Sequence, residues 1–213
     1  MDKEQFQEIY LKSDYYWGKE PNELVNKVLE FIPDSQITNR KLVDLGAGEG
    51  RDSVFFALRG FNVLAVDIAP AGLEKAVKLA KENDTIIETI GADINDIVLP
   101  KMFDVVYSIG TLQYIRPENR KRQFENIKNN TENGGINVMC TFVEHPDVEI
   151  APDWGKNEYL YESEELQSCY YKDWELLYSN EFIFDCKSSN IPHQHAVRTI
   201  IARKPSNLGR LGK

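Results

Sequence analysis

The chain has 213 residues, 42% hydrophobic and 28% charged, with a net charge of −9, which is room for one α/β domain but little for two. That acidic balance argues against nucleic acid, whose phosphates are held chiefly by Lys and Arg, and no apolar run approaches a membrane span. Three widely spaced cysteines, Cys140, Cys169 and Cys186, with no CxxC pair, argue against a disulfide framework or structural zinc.

The N-terminus MDKEQFQEIY is acidic and amphipathic and lacks the sections of a secretory signal, so a cytoplasmic location is expected. An aromatic-rich turn, DYYWGKEP (14–21), leads into an amphipathic helix over 22–33. From residue 41 onward, apolar runs of strand length alternate with helical periodicity, the mark of an α/β sheet. KLVDLG (41–46) is the first strand, 51–60 a helix closed by Gly60, FNVLAVD (61–67) the second strand, and 70–83 a helix with Leu73, Ala76, Val77 and Ala80 on one face. TIIETI (85–90) and FDVVYS (103–108) are the third and fourth strands, 117–131 is a helix with its basic NRKRQ face in solvent, and GINVMCTF (135–142) is the fifth strand. Residues 143–159 show no period and read as a long loop over one end of the sheet. A short helix capped by Ser163, the segment WELLYS and a last strand over 196–204 follow. The expected organisation is a single domain over 1–204, with a cap segment (1–40), a cofactor-binding half (41–142) and an acceptor-side half (143–204), then a disordered tail (205–213).

The chemistry concentrates in VDLGAGEGRDS (43–53). A glycine turn between a first strand and its helix lies at the carboxyl end of the sheet, where ligands bind near the switch point. Gly46, Gly48 and Gly50 read GxGxG rather than the dinucleotide GxGxxG, and Asp44 precedes them by two residues. A carboxylate there disfavours a pyrophosphate and favours a ligand bearing ammonium and sulfonium groups, as S-adenosylmethionine does. Asp67 ends the second strand, where a carboxylate reaches paired ribose hydroxyls. Asp93 in GADIND accepts from an adenine amino group, with Ile68 and Ile94 as apolar contacts.

These motifs, with the AVD strand end and FDVVYS, resemble class I S-adenosylmethionine-dependent methyltransferases over roughly residues 40–142. GEGRDS, YYKDWELL (170–177) and HQHAVRTIIARK (193–204) are similar to the tellurite-resistance methyltransferases, the TehB family. The resemblance implies a Rossmann-like seven-stranded sheet, mostly parallel, with helices on both faces. The cofactor set expected is Asp44, Gly46, Ala47, Gly48, Gly50, Arg51, Asp67, Ile68, Asp93, Ile94 and Ser108. Tyr16 and Trp17 join it as a lid, or else pin the N-terminal helix to the sheet edge.

The fourth strand is followed by IGTLQY, not the Asn/Asp-Pro-Pro-aromatic box of adenine amino methylation. No cysteine stands there to attack a pyrimidine, and no metal-ligand spacing appears. The expected reaction is direct methyl transfer to a small molecule, a tellurite- or selenite-like oxyanion or a thiol-like acceptor. The alternatives are O- or N-methylation of a small metabolite and a binding module without turnover. His193 and His195, two apart on an extended segment, share a face. With Arg198 they are the expected acceptor residues, the guanidinium orienting an oxyanion; the other reading of the histidines is a surface pair.

Overall fold

A computed structural model of the protein describes residues 1–152, 154, 156–186 and 191–206; the expected tail from 207 onward lies outside them. Seven strands form one sheet: β1 (Lys41–Leu45), β2 (Asn62–Asp67), β3 (Glu88–Gly91), β4 (Phe103–Ile109), β5 (Thr131–Val143), β6 (Glu175–Cys186) and β7 (His193–Arg203). Their order is β3-β2-β1-β4-β5-β7-β6. The first five are parallel, and β7 runs antiparallel to both of its neighbours. Strand order reverses at β1, so a crevice opens where β1 and β4 lead away in opposite directions.

The period-two alternation of the strands divides the core in two. Leu42, Val63, Ala65, Val105, Tyr107 and Val138 pack on one face with α2 (Leu24–Leu29), α3 (Arg51–Leu58) and α4 (Pro70–Glu82). Val43, Leu45, Leu64, Val66, Val106 and Met139 pack on the other with Phe124 and Ile127 of α5 (Pro117–Asn129). Asp2 opens α1 (Lys3–Tyr10) with a capping box to Gln5, and the Gln7 amide oxygen accepts the Ala71 N–H in the first turn of α4 at 3.0 Å. That bond satisfies one of the donors a helix start leaves open and lays α1 over the crevice. No helix among the described residues is long and apolar enough to cross a membrane.

Several expected boundaries move. The 22–33 helix is regular only over Leu24–Leu29, then tightens into bonds from Phe31 to Val28 and Ile32 to Leu29 before Pro33. Val77 is 47% exposed, and Leu79 completes the buried face of α4 instead. Ser163 caps no helix: its hydroxyl donates to Glu181, and only a single wide turn, Leu166–Tyr170, forms after it. The largest change is β6, twice the length of WELLYS. It is one of the two edge strands of the sheet, and the polar Ser179, Asn180, Glu181 and Asp185 mask its apolar alternation, as edge strands commonly require.

The third glycine of the turn serves packing. Gly50 has φ +86°, and a Cβ there would stand 2.4 Å from the Ala76 Cβ of α4. Gly50→Ala should therefore cost about 2–4 kcal/mol from backbone strain and overpacking combined, with Ala76→Gly in the same chain recovering little of it, since the Ala76 Cα would still stand 2.7 Å away. Urea unfolding of the single and double variants measures both.

Candidate active site

The turn after β1 is stitched to the end of β2. The N–H groups of Gly46 and Ala47 both donate to the Val66 carbonyl, at 2.8 and 2.9 Å, and the Gly48 N–H donates to Asp67 Oδ2 at 2.8 Å. Asp67 Oδ1 accepts the Ala69 N–H at 2.9 Å. A Cβ on Gly46 would lie 1.7 Å from Thr111 Oγ1, and φ there is +83°, so only glycine fits this approach. The turn thereby brings bare backbone to the mouth of the β1/β4 crevice.

There a cavity of about 1160 Å³ opens. Asp44, Gly46, Ala47, Gly48, Arg51, Asp67, Ile68, Asp93, Ile94, Tyr16 and Trp17 all line it. Asp93 Oδ1 accepts both the backbone N–H and the side-chain amide of Asn95, and its Oδ2 has no hydrogen-bond donor among the described residues. The Trp17 N–H donates to Glu49, its indole N–H to the Tyr10 hydroxyl, and its carbonyl accepts from Arg51. Glu49 is in turn ion-paired with Lys75 at 2.7 Å. The 14–21 turn is thus tied to the glycine turn itself, while Tyr15 donates to the Lys75 carbonyl and stands outside the cavity lining.

Three carboxyls meet beneath this turn. Burial first, then the nearby Asp52 carboxylate, push Asp44 up to about 8, against a hydrogen bond from the Ser53 hydroxyl at 2.6 Å. Burial also raises Asp52, which accepts the Asn22 N–H and the Tyr107 hydroxyl, and Asp67. A carboxyl whose folded pKa lies above its unfolded one stabilises the fold fully below the unfolded value, and that contribution is lost as pH rises through about 8. Burial therefore favours a neutral Asp44, and the site welcomes a cation.

Strand alternation corrects the remaining assignments. Ser108 is fully buried, on the face of β4 opposite Tyr107 and Ile109, and its hydroxyl donates to the Leu45 carbonyl; it does not line the cavity. Gly50 does not line it either, for the packing reason given above. On β7, His195 lines the cavity, but Arg198 is three residues further and points to the other face. There Arg198 donates to the Ser163 carbonyl at 3.0 Å and pairs with Glu164 and Glu181 at 2.7 and 3.0 Å. The expected oxyanion fork is a structural tie. His193 stands outside the lining, with its Nε2 2.9 Å from that of His195.

The wall at this end was not expected from the sequence. Phe142, Trp154 and Phe184 surround the His195 ring at centroid distances of 4.8, 4.6 and 5.6 Å, and Cys140 and Cys186 also line the cavity. Burial raises the Cys140 thiol to about 11, which suits a buried thiol rather than a nucleophile. Phe6 and Tyr10 of α1 and Tyr114 cover the other end, Phe6 meeting Tyr114 edge-on at 5.5 Å. The i, i+3, i+4 pattern of Phe6, Ile9 and Tyr10 was the available signal. The buried Gln113 Oε1, also at the cavity, has no hydrogen-bond partner among the described residues.

Residues 9–191 match the family described as tellurite resistance protein TehB. The chain is 26% identical over 175 residues to the probable S-adenosyl-L-methionine-dependent methyltransferase TehB of Haemophilus influenzae, covering 81% of this chain and 59% of that protein. It is 24% identical over 197 residues to hemagglutinin 1 of Eikenella corrodens, covering 91% and 64%. The chain thus spans less than two thirds of either relative. The crystal structure of TehB from Haemophilus influenzae superposes with a TM-score of 0.75 at 24% identity, covering 95% of this chain and 66% of that one. A Rossmann-like sheet with its glycine turn at the switch point and a match over most of the length lead to one conclusion: the chain belongs to the TehB family.

Proposed function

We propose that the protein transfers a methyl group from S-adenosylmethionine to a small molecule, with a thiol or another soft chalcogen centre as the acceptor. The observation that carries this reading is the joint placement of Asp67 and Asp93 on one cavity beside the glycine turn. Each carboxylate is fixed by donors from its own chain, and an ionised carboxyl has about four acceptor sites. Asp67 would hold the ribose hydroxyls and Asp93 Oδ2 the adenine amino group, with Ile68 and Ile94 against the ring. Asp44 would face the ammonium, and Gln113 Oε1 offers a further acceptor. The cavity is large enough and its donor set has the right polarity for such a ligand.

Bound S-adenosylmethionine supplies a methyl group already made electrophilic by its sulfonium. The chain's share is then to hold the acceptor about 3 Å from that carbon and to keep water out. Phe6, Tyr10 and Trp17 close one end, and Phe142, Trp154 and Phe184 close the other. With Arg198 engaged elsewhere, the aromatic, sulfur and imidazole lining favours a thiol or selenol over a free oxyanion. Incubation with S-adenosylmethionine and a panel of thiols, selenols, selenite, tellurite, phenols and amines tests this by S-adenosylhomocysteine release. Turnover confined to phenols or amines would replace the chalcogen reading with O- or N-methylation, and binding without turnover on any acceptor would leave a binding module.

Two predictions concern the cofactor half. Asp67→Ala should weaken S-adenosylhomocysteine binding by roughly 2–4 kcal/mol in calorimetric titration, through the lost charge-assisted hydrogen bonds. Since Asp44 is held near 8, most of it is protonated at neutral pH, and an approaching ammonium should draw the proton off. Titrations in buffers of different ionisation enthalpy should then show release approaching one proton at about pH 7, vanishing above about pH 9 and absent in Asp44→Asn. Buffer-independent heats at neutral pH would place the ammonium away from Asp44.

A further inference from the structure

We propose that Cys186, His193 and His195 form a binding site for one zinc-class cation in the acceptor wall, with a coordination position left toward the cavity for the acceptor's thiol or selenol. β6 ends and β7 begins at the carboxyl edge of the sheet. Cys186 stands directly opposite His193 in the antiparallel register, and His195 follows two residues later on the same face. The sulfur and one ring nitrogen from each histidine lie within 4.8 Å of one another. A tetrahedral zinc site asks for nitrogen–nitrogen separations of about 3.4 Å and sulfur–nitrogen separations of about 3.6 Å. From the observed 2.9 Å between the two Nε2 atoms, the rings need to part by about half an ångström, and the sulfur, within 4.8 Å of the nitrogens, to close by up to about 1.2 Å.

The hydrogen bonding around the cluster points the same way. His193 Nδ1 is 2.7 Å from the Ile191 carbonyl, which can only accept, so Nδ1 carries the proton, Nε2 presents its lone pair to the His195 Nε2–H at 2.9 Å, and a bound cation releases that one proton to solvent. That backbone bond behind a ligating imidazole is the usual support of a metal-bound histidine, fixing both tautomer and ring orientation. His195 is 6% exposed and clamped by Phe142 and Trp154, so its ring is pre-positioned. One thiolate and two imidazoles select zinc or a similarly soft ion over magnesium and calcium, which take oxygen. Three protein ligands with a fourth position open is the catalytic form of a zinc site, and both Cys186 and His195 line the cavity.

The role of the open position rests on the methyl-transfer reading; the metal site does not. On coordination the acceptor's S–H or Se–H proton passes to solvent water. The resulting anion gives its lone pair to the methyl carbon, forming the new chalcogen–carbon bond, while the carbon–sulfur bond breaks with its pair returning to the sulfonium sulfur. S-adenosylhomocysteine and the methylated acceptor leave.

The test is titration of the metal-free full chain with Co²⁺ and then Zn²⁺. One equivalent of Co²⁺ should give tetrahedral ligand-field bands and a thiolate-to-cobalt charge-transfer band, both abolished by one equivalent of Zn²⁺. Cys186→Ser should remove the charge-transfer band, whereas Cys169→Ser, altering an exposed thiol, should keep it. His193→Gln and His195→Gln should each weaken zinc binding by more than the roughly 10–100-fold that loss of a supporting outer hydrogen bond costs. Thermal melting and S-adenosylhomocysteine affinity are read on every variant, so that metal binding lost with the fold is told apart from metal binding lost with a ligand. A cobalt spectrum without tetrahedral character, or one that survives Cys186→Ser and disappears with Cys169→Ser, overturns the site. An intact metal site in a wild-type chain that fails to bind S-adenosylhomocysteine would sustain this proposal and sink the methyl-transfer reading instead.

Discussion

Everything at the site depends on how closely the backbone after β1 approaches the end of β2. Three consecutive amides, from Gly46 to Gly48, are spent on the Val66 carbonyl and the Asp67 carboxylate. The turn is therefore held by β2 itself. Thr111 closes on it from the β4 side and the Tyr10 hydroxyl from the N-terminal helix, leaving no space for side chains at Gly46 and little at Gly48. A backbone held this bare and this rigid can approach a ligand without reorganising, which is the physical value of a preformed binding turn.

The same stitching accounts for the electrostatics. Asp44, Asp52 and Asp67 are brought under one turn and shielded from water, so burial raises all three. The hydrogen bonds each accepts come from neutral donors, a serine hydroxyl, a tyrosine hydroxyl or backbone amides, with Arg51 only at 3.9 Å from Asp52. A site built that way holds negative potential in reserve for a positively charged ligand, because an internal salt bridge would already have neutralised it. The basic side chains nearby act at the rim: Lys75 on Glu49, and Arg51 on the Trp17 carbonyl.

At the far end the long β6–β7 pair does the positioning. Because β7 is antiparallel and β6 reverses again, the end of one and the start of the other reach the carboxyl edge where the parallel strands also finish. Even-numbered residues of β5 and β6 and odd-numbered residues of β7 then share the cavity face, which is why Phe142, Phe184, Cys186 and His195 meet. The opposite face collects Arg198, Glu181 and Ser163 into an ion-paired cluster that ties the 163–170 segment to the sheet.

The glycine turn, the acids Asp44, Asp67 and Asp93 and the alternation of strands with helices were legible from sequence, because each is set by local backbone requirements and short spacings. A positive φ favours glycine wherever the chain goes next, and a carboxylate at a strand's end stays at the carboxyl edge of the sheet. Ser108, Gly50 and Arg198 were misread for one shared reason. Proximity in sequence to the right strand end does not say which face a residue takes or which helix crosses it. Strand parity sends Ser108 and Arg198 away from the cavity, and the packing of α3 on α4 claims Gly50. The N-terminal residues Phe6 and Tyr10, the ring wall around His195 and the meeting of Cys186 with the two histidines depend on pairings between segments distant in the chain or separated by a strand reversal. Only the folded sheet, through its register and edge order, decides such pairings.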